Sequence, residues 1–381
     1  MNRKIIYLGL DIGSVSAKLA AIAPHDVKIG RNAHQAKSPD IQHIHILNAV
    51  PVQGRPIRTA KRMLGDFLAS CPDGVEFRLN LTGSQAKLVA EILQAPYINE
   101  FKALARGAVE LVPSAKSILE IGGDGSRYLK IEFDPATNEL DILDYERNGE
   151  CAAGTGSFID QQAVRMNYKV EDIGDIVSRA EGCANIAGRC SVFAKSDMIH
   201  AQQRGYSPGA IFKGLCEAVV RNYKGTVLRG KHLEPQVMFA GGVAANTGVV
   251  RAMQNIFGLS DNELIVPELH EHVSAIGCAA LQNGAPLQPD GLEKLSSSKI
   301  EHQSLASSRK LDTTNVRFEN AREHLVDGSR FEHPMPAYLG LDIGSVSTNL
   351  VLIDEEARVI DEIYTRTEGR PIQVVQRELA G

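Results

Sequence analysis

A chain of 381 residues that is 43% hydrophobic and 23% charged has room for two or three lobes with sizeable cores, which excludes disordered and fibrous classes. Its formal charge of −5 and its lack of long basic runs argue against a nucleic-acid or anionic-membrane surface. Asp11 interrupts the short apolar run at the start, and no stretch approaches the ~20 apolar residues of a membrane span, so the expected location is the cytoplasm. The six cysteines (Cys71, Cys151, Cys183, Cys190, Cys216 and Cys278) are too sparse for a disulfide framework and form no CxxC pair.

Residues 5–12 and 17–23 read as two strands around a small Gly/Ser turn, and residues 43–50 as a third strand. A helix is expected over 59–69, a strand over 76–81, a turn at Thr82-Gly83-Ser84 and a helix over 85–93 with Leu88, Ile92 and Leu93 on one face. A second lobe begins near Ser117, where residues 117–133 repeat the order of strand, Gly-rich turn and strand, with Asp124 in the turn. Helices are expected from just after Cys151 to about Tyr168 and from Ser191 to about Arg204. Residues 236–246 form a third strand and Gly turn, which opens a helix over about 247–257. Residues 272–281 alternate small and apolar side chains, the pattern of a helix packed tightly on a neighbour. From about 288 to 336 the composition becomes Ser-rich and charged, a linker with a short helix at 321–326.

Ten residues, Tyr-Leu-Gly-Leu-Asp-Ile-Gly-Ser-Val-Ser, occupy 7–16 and recur unchanged at 338–347. The turn glycines Gly13 and Gly344 let phosphate oxygens approach the backbone, with Ser14 and Ser16 beside the first of them. Asp11 and Asp342 repel phosphate, so the role that suits them is holding Mg²⁺, which then bridges to the phosphates. Lys18 reads either as a solvated surface lysine or as a phosphate contact.

The turns at Gly13, at Gly122 and Gly123, and at Gly241 and Gly242 together resemble the phosphate-1, phosphate-2 and adenosine motifs of the actin-like ATPase superfamily. That resemblance implies an α/β fold of two ribonuclease-H-like lobes, mixed sheets with flanking helices, and ATP in the cleft between them. Asp11 and Asp124 would then face each other as catalytic acids, with Gly241, Gly242 and Asn246 near the adenosine.

Three segments narrow the family: Glu-Cys-Ala-Ala-Gly-Thr-Gly-Ser-Phe-Ile-Asp at 150–160, Cys-Ser-Val-Phe-Ala-Lys-Ser-Asp-Met-Ile at 190–199, and Gly-Gly-Val-Ala-Ala-Asn at 241–246. Over residues 6–284 the chain resembles the ATP-dependent activators of 2-hydroxyacyl-CoA dehydratases and their relatives in benzoyl-CoA reductases, the BadF/BadG/BcrA/BcrD type. This implies a homodimer in which Cys151 and Cys190 bind one [4Fe–4S] cluster shared between two subunits. It also implies ferredoxin or flavodoxin as upstream donor and a dehydratase or related reductase as acceptor. Two thiolates per chain become four across a twofold axis, the number that a cubane requires. Cys183 competes by proximity but matches no motif.

One departure bears on turnover. The family's second turn commonly reads Ile-Gly-Gly-Gln-Asp, a small residue and Lys, whereas this chain has Ile-Gly-Gly-Asp-Gly-Ser-Arg at 121–127, so ATP binding is a firmer expectation than hydrolysis. A small-molecule kinase and a non-catalytic nucleotide-sensing subunit stay open as alternatives. The expected organisation is lobe I over 1–112 with 270–285 returning to it, lobe II over 113–269, and a linker over 286–336. Residues 337–381 would be the truncated start of a second actin-like domain, an exposed hairpin with unpaired edges.

Overall fold

Residues 4–30, 33–36, 43–149, 154–288, 290–297, 312, 314–316, 335–344, 347–367 and 371–380 are described by the structure, a computed structural model. They fall into two compact units, Met1–Ile300 and Glu301–Gly381. The apolar run near the start becomes β1 (Ile5–Ile12), with Ile6, Leu8, Leu10 and Ile12 fully buried. It is followed by β2 (Ser16–Ile22), the short β3 (His34–Gln35) and β4 (Ile44–Pro51). Helix α1 (Pro56–Leu68) starts with proline, whose missing N–H costs nothing at that position, and buries Ile57, Ala60, Met63, Leu64 and Phe67 as a stripe at helical spacing.

The chain continues through β5 (Glu76–Thr82), α2 (Lys87–Leu93) and α3 (Glu100–Leu111), the last capped by the Asn99 side chain. Helix α2 buries Val89, Ala90 and Leu93 and leaves Leu88 42% exposed, a rotation of the face expected from sequence. Next come β6 (Ser117–Ile121), β7 (Ser126–Asp134) and β8 (Glu139–Arg147), then helices α4 (Gly156–Arg165), α5 (Ile173–Ser178), α6 (Ser191–Gln203) and α7 (Pro208–Tyr223). The first unit closes with β9 (Val237–Ala240), α8 (Thr247–Phe257), β10 (Leu264–Ile265), α9 (Val273–Ala280), β11 (Ala285–Pro286) and α10 (Gly291–Ser297). Among the described residues no helix is long and apolar enough to cross a membrane.

Two mixed sheets organise this unit. The first runs β11-β5-β1-β2-β4-β3, with β1 antiparallel to β2 and parallel to β5. The second runs β10-β9-β6-β7-β8, with β6 antiparallel to β7 and parallel to β9. Helices α3 and α9 pack with their backbones in contact: a Cβ on Gly107 would lie 1.8 Å from the Val273 carbonyl oxygen, and one on Gly277 the same distance from that of Ala103. Helix α9 also sits directly on β1, where a Cβ at Gly9 would lie 1.9 Å from the Ala275 oxygen. The first stretch of the expected linker is built into the first unit: β11 pairs with β5, and Leu295 of α10 is buried in the core that α1 and α2 share. The helix expected at 321–326 lies outside the described residues.

In the second unit β12 (Tyr338–Ile343), β13 (Ser347–Ile353) and β14 (Val359–Arg366) form an antiparallel sheet in that order, followed by α11 (Pro371–Ala380). The repeated segment therefore belongs to a three-stranded sheet rather than a bare hairpin. All six residues of β12 are exposed.

Candidate functional site

The β1–β2 and β6–β7 turns are built alike. Gly13 N–H donates to the Ser16 carbonyl at 3.1 Å, and Gly122 N–H to the Gly125 carbonyl at 2.7 Å. The turns meet, since a Cβ on Gly123 would stand 2.5 Å from Val15 Cγ2. A cavity of about 420 Å³ lies between them, lined by Asp11, Gly13, Ser14, Ser16 and Lys18 from one side and Gly122, Gly123 and Asp124 from the other. Gly241, Gly242 and Asn246 do not line it. Gly241 instead exchanges hydrogen bonds with His270, and the Asn246 side chain caps α8 by accepting from Gly248 and Val249 N–H.

Asp11 lies opposite Lys18 across the β1–β2 ladder and opposite Thr82 on β5. Burial raises its pKa above the usual carboxylate range, while Lys18 and Arg127 pull it down. The acid in electrostatic contact with it is Glu120, whose carboxyl is pushed up to about 8 by burial, reinforced by the Asp11 charge and opposed by Lys18. Asp124 has a different engagement: its Oδ1 accepts from Ser157 Oγ at 2.7 Å. Glu120 ion-pairs with Arg127, which also holds Glu100, and all three line the cavity. Sequence reading misses these three residues. The available signal is a carboxylate inside the otherwise buried run Ser-Ile-Leu-Glu-Ile just before the Gly pair, where an unassigned charge is costly.

The lining carries four carboxyl groups (Asp11, Glu100, Glu120, Asp124) and three cationic side chains (Lys18, Arg127, Arg147). It therefore offers a polyphosphate no excess of positive charge, and a divalent cation held by the acids would supply it. These acids fit an ion held through water, since they do not gather three or more carboxylates at one point to ligate it directly.

The second turn is clasped to the segment that follows Cys151, one of the two cysteines expected from sequence to hold a cluster. Ser126 Oγ donates to the Gly154 carbonyl at 2.6 Å, and Gly156 and Ser157 N–H donate to the Gly122 and Gly123 carbonyls at 2.8 Å each. Cys151 itself lies outside the described residues. Cys190 is the N-cap residue of α6, partly buried, with no side-chain capping bond. Buried Asn222 on α7 joins the two cysteine segments: its Nδ2 donates to the Arg189 carbonyl at 2.7 Å, and a Cβ on Gly154 would lie 2.6 Å from its Oδ1. Cys190 thus stands at the N-terminus of α6 with its thiol free of any capping bond. Burial pushes the thiol of Cys71 up to about 11 and that of Cys216 up to about 12, and partial desolvation with the neighbouring Glu217 raises that of Cys183, although the residue is exposed, to about 11, which disfavours their thiolates. Among the described residues no group of three or more His, Cys, Asp or Glu side chains is placed to hold a metal ion.

The profile of the BadF/BadG/BcrA/BcrD ATPase family matches residues 8–281. The 2-hydroxyisocaproyl-CoA dehydratase activator of Clostridioides difficile is 31% identical over 182 residues, 48% of this chain and 65% of that protein. The activator of lactoyl-CoA dehydratase of Anaerotignum propionicum is 32% identical over 182 residues, 48% of this chain and 67% of that protein. The chain thus spans about two thirds of the length of these relatives. Among solved structures, component A of the Acidaminococcus fermentans (R)-2-hydroxyglutaryl-CoA dehydratase matches with a TM-score of 0.58 at 23% identity, over 73% of this chain and 97% of that one. The activator of the 2-hydroxyisocaproyl-CoA dehydratase from Clostridium difficile, with bound ADPNP, matches with a TM-score of 0.55 at 24% identity, over 77% and 96%. These likenesses carry the fold, an actin-like ATPase fold with mixed sheets and flanking helices.

Proposed function

The chain belongs to the BadF/BadG/BcrA/BcrD ATPase family, and on that premise we propose that it is an ATP-dependent activator. It would pass an electron through a [4Fe–4S] cluster shared between two copies of the chain to a 2-hydroxyacyl-CoA dehydratase or a related CoA-ester reductase. The names of its relatives support the activator role. In this reading the amides around Gly13, Ser14 and Ser16 and around Gly122 and Gly123 cradle the phosphates. Lys18 offsets phosphate charge, and Asp11 holds Mg²⁺ through water. Asp124 faces Asp11 from the second turn of the same cavity, and Glu120 joins it there, since its carboxyl interacts with the Asp11 charge. Gly241, Gly242 and Asn246 remain assigned to the adenosine end.

Cys151 and Cys190 would hold the cluster, which when bound supplies a low-potential one-electron reductant recharged by ferredoxin or flavodoxin. The observation that carries the reading is the clasp between the second turn and the start of α4. A change in the position of Gly122 and Gly123 moves the Gly154 to Ser157 backbone with it, through three hydrogen bonds of 2.6 to 2.8 Å. Nucleotide occupancy thereby reaches the cysteine segment. One observation favours a second reading, nucleotide sensing without turnover: Asp124 is already engaged with Ser157. ADP release measured anaerobically on the reduced protein separates the two.

The deciding measurement is iron content with the visible and EPR spectra of protein purified and reconstituted without oxygen. About four iron per dimer is expected, lost in Cys151→Ala and in Cys190→Ala. A wild-type protein that stays colourless and iron-free overturns the electron-donor reading.

A further inference from the structure

Two cations of the cleft, Arg127 and Arg147, have no assigned part in the nucleotide site so far. Arg127, the second residue of β7, directs Nη1 to Glu120 and Nη2 to Glu100. Glu120 is its cross-strand neighbour on β6, fixed by the register of the ladder, and its side chain is 12% exposed. Glu100 comes from elsewhere, the first residue of α3, with a side chain 23% exposed. A guanidinium occupied by two carboxyl groups adds little positive field to the cavity that it lines. Phosphate nevertheless offers the same paired oxygen acceptors as carboxylate, and a guanidinium fork binds either.

We propose that Arg127 is a phosphate-binding residue of the nucleotide site: phosphate oxygens of the nucleotide replace Glu100 on its guanidinium, and Glu100 is released. Glu100 is the partner that leaves because its place is not set by strand register, and because the N-terminus of α3 stabilises its free carboxylate. Glu120 stays. The inference rests on the nucleotide-site reading and deepens it, since it names Arg127 as the cation that meets the incoming charge. It also gives release a consequence. Glu100 opens α3, whose backbone packs on α9, and α9 packs on β1, the strand that carries Asp11. The exchange at Arg127 therefore acts on the helix pair that contacts the strand of the metal-binding acid.

Calorimetric titration of the full chain with Mg-ATP and Mg-ADP tests this on wild type, Glu100→Gln, Arg127→Gln and the double variant. Glu100→Gln frees the guanidinium and is expected to tighten binding roughly fivefold, while Arg127→Gln weakens it about tenfold. Arg127→Lys, which keeps the charge, recovers part of that loss. Removing a carboxylate from the lining also favours an anion through its general field, so the double variant decides: the gain from Glu100→Gln disappears in the Arg127→Gln background. Unchanged or weaker binding in Glu100→Gln overturns the proposal, as does a gain that persists in full without Arg127. Wild-type protein that binds neither nucleotide overturns the nucleotide site itself, a result distinct from these.

Discussion

At Gly83 the backbone takes φ +100, and a Cβ there would lie 2.4 Å from Asp11 Oδ1 and 2.5 Å from the Ile12 carbonyl oxygen. The carboxylate that the proposed Mg²⁺ depends on is thus seated against a bare Cα. Gly83→Ala must displace Asp11 or the end of β1, and it strains its own backbone as well. The expected cost is about 1–3 kcal/mol in stability, read by thermal unfolding, together with a clear loss of Mg-nucleotide affinity by calorimetry. Gly125→Ala is the control within the second turn. A Cβ there meets nothing within 4 Å, so stability should stay within about 0.5 kcal/mol of wild type. Equal losses in both variants would mean that turn stiffness, not the Asp11 contact, is being measured.

Helix α9 shows how one element can depend on one proton. His272 is its N-cap residue, and Nε2–H donates to the Leu47 carbonyl of β4 at 2.7 Å. Burial pulls the His272 pKa below the ordinary 6.5, with Lys18 and His270 adding to the fall and the Leu47 carbonyl and Glu271 opposing it. The unfolded chain therefore takes up this proton at higher pH than the folded one, so the contribution is present above about 6.5 and is lost as pH falls through the lowered folded value. His272→Gln keeps a donor near Nε2 but does not titrate. Its Tm should change less than that of wild type between about pH 8 and about pH 5; parallel curves would assign the acid sensitivity to other groups.

The small-residue pattern of α9 is visible in the sequence because tight packing leaves a compositional trace, and the span of α8 is legible because a Gly turn opens it. Helix α7 is not, because it buries most of its surface, Ile211, Phe212, Leu215, Val219 and Tyr223 included, and only a narrow polar stripe of Lys213, Glu217 and Arg221 marks its period. Strand β8 is missed for the opposite reason: it is a mostly exposed edge whose charges hide the strand. At the site, the two Gly turns announce themselves in sequence. Glu100, Glu120 and Arg127 do not, since only the β6–β7 register and the placement of α3 bring them together.

Across the whole molecule, one decapeptide sits in two environments. In the first unit β1 has β2 and β5 on its edges and α9 on Gly9, and Leu8 and Leu10 are fully buried. In the second unit β12 pairs among the described residues only with β13, a Cβ on Gly340 would meet only the Val351 oxygen at 3.7 Å, and Leu341 is 45% exposed. Identical residues thus differ in burial because tertiary partners, not local sequence, decide it. The same substitution should therefore give opposite results. Leu10→Lys places an unpaired ammonium in a packed core and should cost more than about 3 kcal/mol, seen as early unfolding of the first unit. Leu341→Lys should stay within about 0.5 kcal/mol of wild type. It should also lower self-association in sedimentation at high concentration, because Tyr338, Leu339, Leu341 and Ile343 form an exposed apolar strand and a lysine blunts such an edge. A chain ending after residue 300 keeps β11 and α10, which a cut near Gly284 would strip from the first core, and should self-associate as little as Leu341→Lys. If Leu341→Lys destabilises the protein as much as Leu10→Lys does, β12 is covered in solution and the edge is not the source of association.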